Sequence, residues 1–253
     1  MKRARVIPVL LIKNRGLYKT IKFKNERYVG DPLNVVRIFN EKQCDEIIFL
    51  DISATINKKD IDYHLIEKLA TECFMPVSYG GGITTITQIE KIIKLGIEKV
   101  VLNTSILIKP SFLEEASNIF GSSTIVASVD VKLKNLNKYS IHSYSGFDTK
   151  GLELFQFLKL LENCGAGEIM INSVDRDGMM NGYDLELAKK VSNNLSIPVI
   201  FCGGCRNIDD IKALLKQTNV SAAAAGSFFV FHGPHKGVLI NYPEPEVFEK
   251  IYE

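Results

Sequence analysis

The sequence predicts an α/β fold: a closed (βα)8 barrel of the TIM type with a two-fold internal repeat, residues 1–253 forming one barrel domain. Three observations lead there. Eight short apolar runs alternate with amphipathic stretches along the chain, the pattern of a parallel sheet with helices packed outside it. The chain has 253 residues, and such a barrel needs roughly 250. The two halves also resemble each other at a spacing of about 120 residues, a self-similarity that points to a repeated architecture.

The first strand is expected at 5–12, where Val6-Ile7-Pro8-Val9-Leu10-Leu11-Ile12 is the unbroken apolar run of a strand buried on both faces. A helix follows from Pro32 to Lys42, with Val35, Val36 and Phe39 inward and Asp31-Pro32 placing proline near the first turn. Strands at 46–52, 76–80 and 99–103 alternate with helices over Ile61–Cys73 and Thr87–Leu95, the second capped by Thr85. Lys109-Pro110 opens a helix to Phe120, and the fifth strand is read at 124–130. The remaining strands fall at 168–173, 198–202 and 221–225. Between the fifth strand and the eighth lie helices over Leu152–Cys164, Leu185–Asn194 and Ile208–Lys216, the last capped by Asn207.

The repeat places Thr124–Lys132 over the first strand, so that Val129-Asp130-Val131-Lys132 lies on Leu10-Leu11-Ile12-Lys13. Asp130 therefore has a partner position, and it holds Leu11. Asp45-Glu46-Ile47-Ile48 resembles Gly167-Glu168-Ile169-Met170, and Val77 to Gly82 resembles Val199 to Gly204. Equivalent sites then face each other across the C-terminal mouth, where such barrels keep their chemistry.

Composition excludes several classes. With 46% hydrophobic and 24% charged residues the chain is ordinary globular material. A net charge of +2 gives no reason for nucleic acid or an anionic membrane as partner. No apolar run approaches the roughly 20 residues of a membrane span. The basic start Met1-Lys2-Arg3-Ala4-Arg5 is followed by a run ending at Lys13-Asn14-Arg15, too short for a signal peptide. Five cysteines, an odd number, predict reduced thiols and a cytoplasmic location.

Four motifs carry chemistry. Tyr79-Gly80-Gly81-Gly82 and Cys202-Gly203-Gly204 are paired glycine turns, whose backbone N–H groups can approach an anion closely. A single such turn reads as a tight bend. Two copies, beside the small polar strand ends Asn103-Thr104-Ser105 and Gly226-Ser227, point to two phosphate sites and a substrate with a phosphate at each end. Asn172-Ser173-Val174-Asp175-Arg176-Asp177-Gly178 sets two carboxylates around an arginine, able to orient or protonate a substrate, though Asp-Gly alone is also a turn former. Cys202 and Cys205 have a metal-like or redox-like spacing but lack a second ligand pair nearby. His64, His142, His232 and His235 form no ligand set, and His142 is expected in a polar surface loop after the fifth strand. Arg5, Glu46, Lys99 and Glu168 begin strands one, two, four and six, two bases and two acids that can neutralise one another at the N-terminal face, where charge ordinarily serves stability.

Together these residues resemble the cyclase subunit family of imidazole glycerol phosphate synthase. Ile7-Pro8, Gly30-Asp31-Pro32, Leu50-Asp51-Ile52, Gly80-Gly81-Gly82, Val129-Asp130, Glu168-Ile169 and Asp175-Arg176-Asp177-Gly178 through Gly182-Tyr183-Asp184-Leu185-Glu186 match its pattern in order, over about Arg3 to Phe231. The resemblance implies substrate and phosphate binding by Lys19, Gly82, Asn103, Thr104, Asn172, Asp177, Gly203, Gly204, Gly226 and Ser227. It implies an ammonia gate at Arg5, Glu46, Lys99 and Glu168, a glutaminase subunit docked on that face as a heterodimer, and neither cofactor nor metal. It also implies two catalytic aspartates, of which Asp130 matches while Leu11 occupies the other position; Asn172 stands where the family usually has threonine. Leu10-Leu11-Ile12-Lys13, Gly16-Leu17-Tyr18-Lys19-Thr20, Arg27-Tyr28-Val29-Gly30-Asp31-Pro32 and Val230-Phe231-His232-Gly233-Pro234-His235-Lys236 look more like a paralogous branch associated with amidation of surface-polysaccharide sugars. That branch implies an ammonia-supplying subunit working with a sugar amidotransferase. The alternatives are the histidine-pathway cyclase, a lyase forming imidazole glycerol phosphate and AICAR, and a non-catalytic conduit that activates the glutaminase.

Overall fold

The computed structural model describes residues 4–134, 138–244 and 247. β1 (Arg5–Lys13) turns into an antiparallel ribbon, β2 (Gly16–Ile21) and β3 (Lys24–Gly30), before α1 (Pro32–Glu41). Then come β4 (Ile47–Asp51), α2 (Tyr63–Glu72), β5 (Val77–Gly80), α3 (Ile86–Lys94) and β6 (Lys99–Leu102). A short α4 (Thr104–Ile108) precedes α5 (Ser111–Phe120), β7 (Ile125–Leu133) and β8 (Tyr139–His142). The second half continues with α6 (Leu154–Asn163), β9 (Glu168–Ser173), α7 (Leu185–Asn194), β10 (Val199–Cys202), α8 (Ile208–Gln217) and β11 (Ala222–Ala225). A 3-10 turn over Ser227–Phe229 then leads to a small hairpin, β12 (Phe231–His232) and β13 (Gly237–Val238).

The expected barrel is present. β1, β4, β5, β6, β7, β9, β10 and β11 pair in parallel in that order, and β11 returns to β1 through Arg5↔Ala222 to Pro8↔Ala225. The helices are started by the residues the sequence offered. Asp31 accepts from the N–H groups of Leu33 and Asn34 with Pro32 first in the helix; Thr85 and Gln88 form a capping box; Asn207 accepts from Asp210 N–H. Because each barrel strand is covered on both sides, two apolar clusters result. A large outer one, including Phe39, Phe49 and Phe201, joins sheet to helices; a smaller one fills the lumen with Ile7, Val9, Ile48, Val101, Val126, Met170, Ile200, Cys202, Ala222 and Ala224, packed by Leu11 and Leu50. No helix among the described residues is long and apolar enough to cross a membrane.

The repeat extends to register. Val9↔Ile48 on β1–β4 corresponds to Ser128↔Met170 on β7–β9, and Ile47↔Val77 to Val199↔Ile169. Both leading strands carry an antiparallel partner at the matching place, Leu11↔Tyr18 and Asp130↔His142. Leu11 and Asp130 are thus equivalent in the barrel itself.

One expectation is corrected here. His142 is not in a surface loop but in β8, half-buried and paired with Asp130.

Candidate functional site

At the N-terminal end the four charged residues close a ring. Arg5 meets Glu46 at 2.6 Å and Glu168 at 2.9 Å; Lys99 meets the same two carboxylates at 3.3 and 3.4 Å. They converge because Arg5, Lys99 and Glu168 open β1, β6 and β9 and Glu46 immediately precedes β4, all at the same end of the barrel. Ser78, which sequence reasoning missed, adds a hydroxyl donor to Glu46 at 3.0 Å. Burial alone would lower the pKa of Arg5, but Glu168 and Glu46 outweigh it and hold the guanidinium firmly charged. Glu168 Oε2 is buried with no hydrogen-bond partner among the described residues. Beyond the ring the lumen is apolar up to the C-terminal mouth.

The mouth holds a cleft of about 300 Å³ that brings together Leu11, Lys19, Gly82, Asn103, Thr104, Asp130, Asn172, Asp177, Gly203, Gly204, Gly226 and Ser227. Asp130 lies next to the end of the buried run of β7, which closes with Val131. Its Oδ2 accepts from Asn103 Nδ2 and its Oδ1 from Asn172 Nδ2, each at 3.0 Å, from the two flanking strands' ends. Burial pushes the carboxyl up to about 6, against the lowering effect of these two bonds. The equivalent positions on the other half are Gly226, Leu11 and Leu50, so this carboxylate and its two amide donors have no counterpart there.

Lys19 reaches in from β2 and donates to the carbonyl of Val9. A Cβ on Gly226 would come within 2.5 Å of its Nζ, so a larger residue there would have to displace the end of the Lys19 side chain. Burial brings its ammonium down to about 8, with Asp177 opposing. The two glycine pairs adopt left-handed φ, Gly81 126° and Gly82 70°, Gly203 109° and Gly204 103°. A Cβ on Gly81 would meet Asp51 O at 2.5 Å, and one on Gly204 would meet Gly182 O at 2.2 Å. Each pair lies in the same cleft as a turn start, Thr104-Ser105 of α4 or Ser227, whose first N–H groups have no intrahelical acceptor.

The acidic motif after β9 is engaged in clamping. Asp177 accepts from Thr20 Oγ1 at 2.7 Å and Phe23 N–H at 3.0 Å, fixing the β2–β3 turn over the cleft; burial raises its pKa against these donors and Lys19. Asp175 accepts from Leu133 N–H at 2.7 Å and holds the β7–β8 end, while Arg176 donates to the carbonyls of Asn181 and Gly182. Asp177 alone of the three lines the cleft, so Asp175 and Arg176 are not placed to touch a ligand there. All five cysteines are free; Cys202 faces the lumen with its thiol pushed to about 12 by burial, and burial also raises Cys205. No group of three or more His, Cys, Asp or Glu among the described residues could hold a metal ion.

The raised Asp130 gives a pH-dependent stability. Its ordinary value is 3.8 and its folded value about 6. The folded state therefore binds more protons between these values, and stability falls as pH rises through that window. Asp130→Asn removes the cost of burying the anion. We expect it to be more stable than wild type by about 3 kcal/mol near pH 8 and to converge with it below about pH 4. Thermal melts across pH test this; identical curves at high pH would contradict it.

The description of a histidine biosynthesis protein family matches residues 5–235. The chain belongs to that family. Three relatives extend the match over nearly the full length of each partner. A Pseudomonas aeruginosa protein named "Putative imidazole glycerol phosphate synthase subunit hisF2" is 48% identical over 244 residues, 96% of this chain and 97% of its own. A Vibrio vulnificus protein with the same name ending in hisF3 is 44% identical over 254 residues, 100% and 98% of the two chains. One from Leptospira interrogans, ending in HisF, is 44% identical over 253 residues, covering both completely. The chain is thus a member of the histidine biosynthesis protein family that is similar over its length to proteins named as putative imidazole glycerol phosphate synthase subunits.

Proposed function

We propose that this chain is the synthase-type barrel subunit of a glutamine-dependent complex, taking ammonia from a glutaminase partner through the barrel and supporting amidation of a glycan precursor sugar. The observation that carries this reading is the closed charge ring leading into an apolar lumen. Neutral ammonia can cross an apolar lumen at small cost, whereas ammonium would lose its hydration there. The four charges of the ring cancel, so a shift of one side chain opens a passage without stranding net charge. Arg5, Glu46, Lys99 and Glu168 form the gate on the glutaminase-facing end. At the other end Gly82, Asn103 and Thr104 form one phosphate cradle and Gly203, Gly204, Gly226 and Ser227 the other. Lys19, Asn172 and Asp177 line the space between them for a phosphorylated small molecule, and Asp130 is the acid–base group.

Asp130 and the two cradles favour a second reading, the histidine-pathway cyclase; Leu11 opposes it. A third, a non-catalytic conduit that activates the glutaminase, shares the ring and lumen. Co-expression with the cognate glutaminase is expected to give one co-eluting complex in size-exclusion chromatography and a glutaminase stimulated by the barrel chain. Separate elution with no stimulation would remove the ammonia reading altogether.

A further inference from the structure

We infer that a second cavity at the C-terminal end of the barrel, beside the cleft, binds a nucleoside monophosphate. Its volume is about 300 Å³, and it lies between the β12–β13 hairpin and the loops that follow β9 and β10. It adjoins the cleft without being part of it. Cys205 and Ser227 line the cleft, and the next residues, Arg206 and Phe228, line the cavity. Met180 lines both. The glycines of the two cradles line the cleft only.

The lining decides what the cavity can hold. Phe228, Phe231, Met180 and Leu239 form an apolar wall, and folding leaves Leu239 56% exposed. The wall is braced within the chain. Arg27 sits over the Phe231 ring at 5.0 Å and donates to the carbonyl of Lys236 at 3.0 Å. Leu239 N–H donates to the carbonyl of Val230 at 2.9 Å, and Asn241 N–H to that of Phe229 at 3.0 Å. Such a wall takes a planar ring by stacking. Arg206 supplies the charge: its ion pair with Asp210 is long, 3.6 Å, and its side chain is 60% exposed, so guanidinium donors remain for a phosphate. His232 adds a ring N–H at the rim. The Asn241 side chain makes no hydrogen bond among the described residues and offers both donor and acceptor, the pair that reads the edge of a base. A stacking ring, a two-way hydrogen-bonding edge and an anion are the three parts of a nucleoside monophosphate. Through Met180 its occupant also touches the wall of the cleft. The site does not depend on the ammonia reading, and either can fail without the other.

The test uses the full chain with 13C-labelled leucine methyls. Leu239 is the reporter because it lines the cavity and not the cleft. The probes are adenosine and uridine monophosphates, with adenosine, uridine and ribose 5-phosphate as controls. Saturable shifts of the Leu239 methyls are expected with at least one monophosphate, at about tenfold lower concentration than with its nucleoside or with ribose 5-phosphate. Arg206→Gln, at an exposed position, should bring monophosphate and nucleoside to equal affinity. In the wild type alone, absence of shifts, or a nucleoside or ribose 5-phosphate as effective as the monophosphate, would overturn the site. A preference for the monophosphate that survives unchanged in a folded Arg206→Gln chain would overturn it as well.

Discussion

Supplied with free ammonium salt and the histidine-pathway substrate, this chain should turn over about 10²- to 10⁴-fold more slowly than an authentic cyclase, the contribution of one positioned acid or base. In barrier height that is roughly 3–5 kcal/mol. Ring closure with loss of a fragment moves protons at more than one atom, and a single carboxylate at Asp130 cannot serve both sides of a substrate spanning the mouth. Leu11, at the equivalent register position, packs against the apolar lumen cluster with Leu50. It offers neither proton nor acceptor, and it desolvates charge developing beside it. Asp177 is poorly placed to substitute, because one of its carboxylate oxygens already takes Thr20 and Phe23. Leu11→Asp should recover part of the rate. Wild-type turnover within a few-fold of an authentic cyclase would contradict this and favour the histidine-pathway reading.

Removing Glu46 should be the most damaging single change at the other end. Its side chain is 3% exposed and joins Arg5, Lys99 and Ser78. Glu46→Ala leaves two cations facing one carboxylate, Glu168. Breaking a buried pair in this way costs about 3–5 kcal/mol, and partial exposure of Arg5 at 26% puts the expectation at the lower bound. A fall in melting temperature of about 6–12 °C follows for a chain of this size. The exposed helical pair Lys190–Glu186 is the control, since removing it should cost about 0.5 kcal/mol or less. Equal, small shifts for both variants in calorimetry would mean that the ring is not a buried network.

The barrel was legible because a strand covered on both faces must be apolar along its whole length. The run expected at 46–52 is β4 at Ile47–Asp51, and that at 168–173 is β9. The β2–β3 ribbon was not legible, for two physical reasons. Its turns use left-handed φ at Asn14 and Arg15 and at Lys22 and Phe23, with no glycine to announce them. β3 is also exposed over Lys24–Tyr28, so it lacks an inward apolar face. The ring was legible in composition but not in contact, since Arg5 and Glu168 meet only after the barrel closes. The bonds from Asn103 and Asn172 to Asp130 span 27 and 42 residues; they form because β6, β7 and β9 are neighbours in the closed sheet. The partners of Asp175 and Arg176 are backbone groups, which no side-chain pattern reveals.

The decisive measurement is the fate of the glutamine amide nitrogen. The reconstituted complex of this chain with its glutaminase is given glutamine labelled with 15N at the amide, together with the histidine-pathway substrate. Glutamine consumed with the label recovered as free ammonium, and no labelled imidazole, is the expected result for a barrel that delivers ammonia elsewhere. Label appearing in an imidazole product in proportion to glutamine consumed would contradict it.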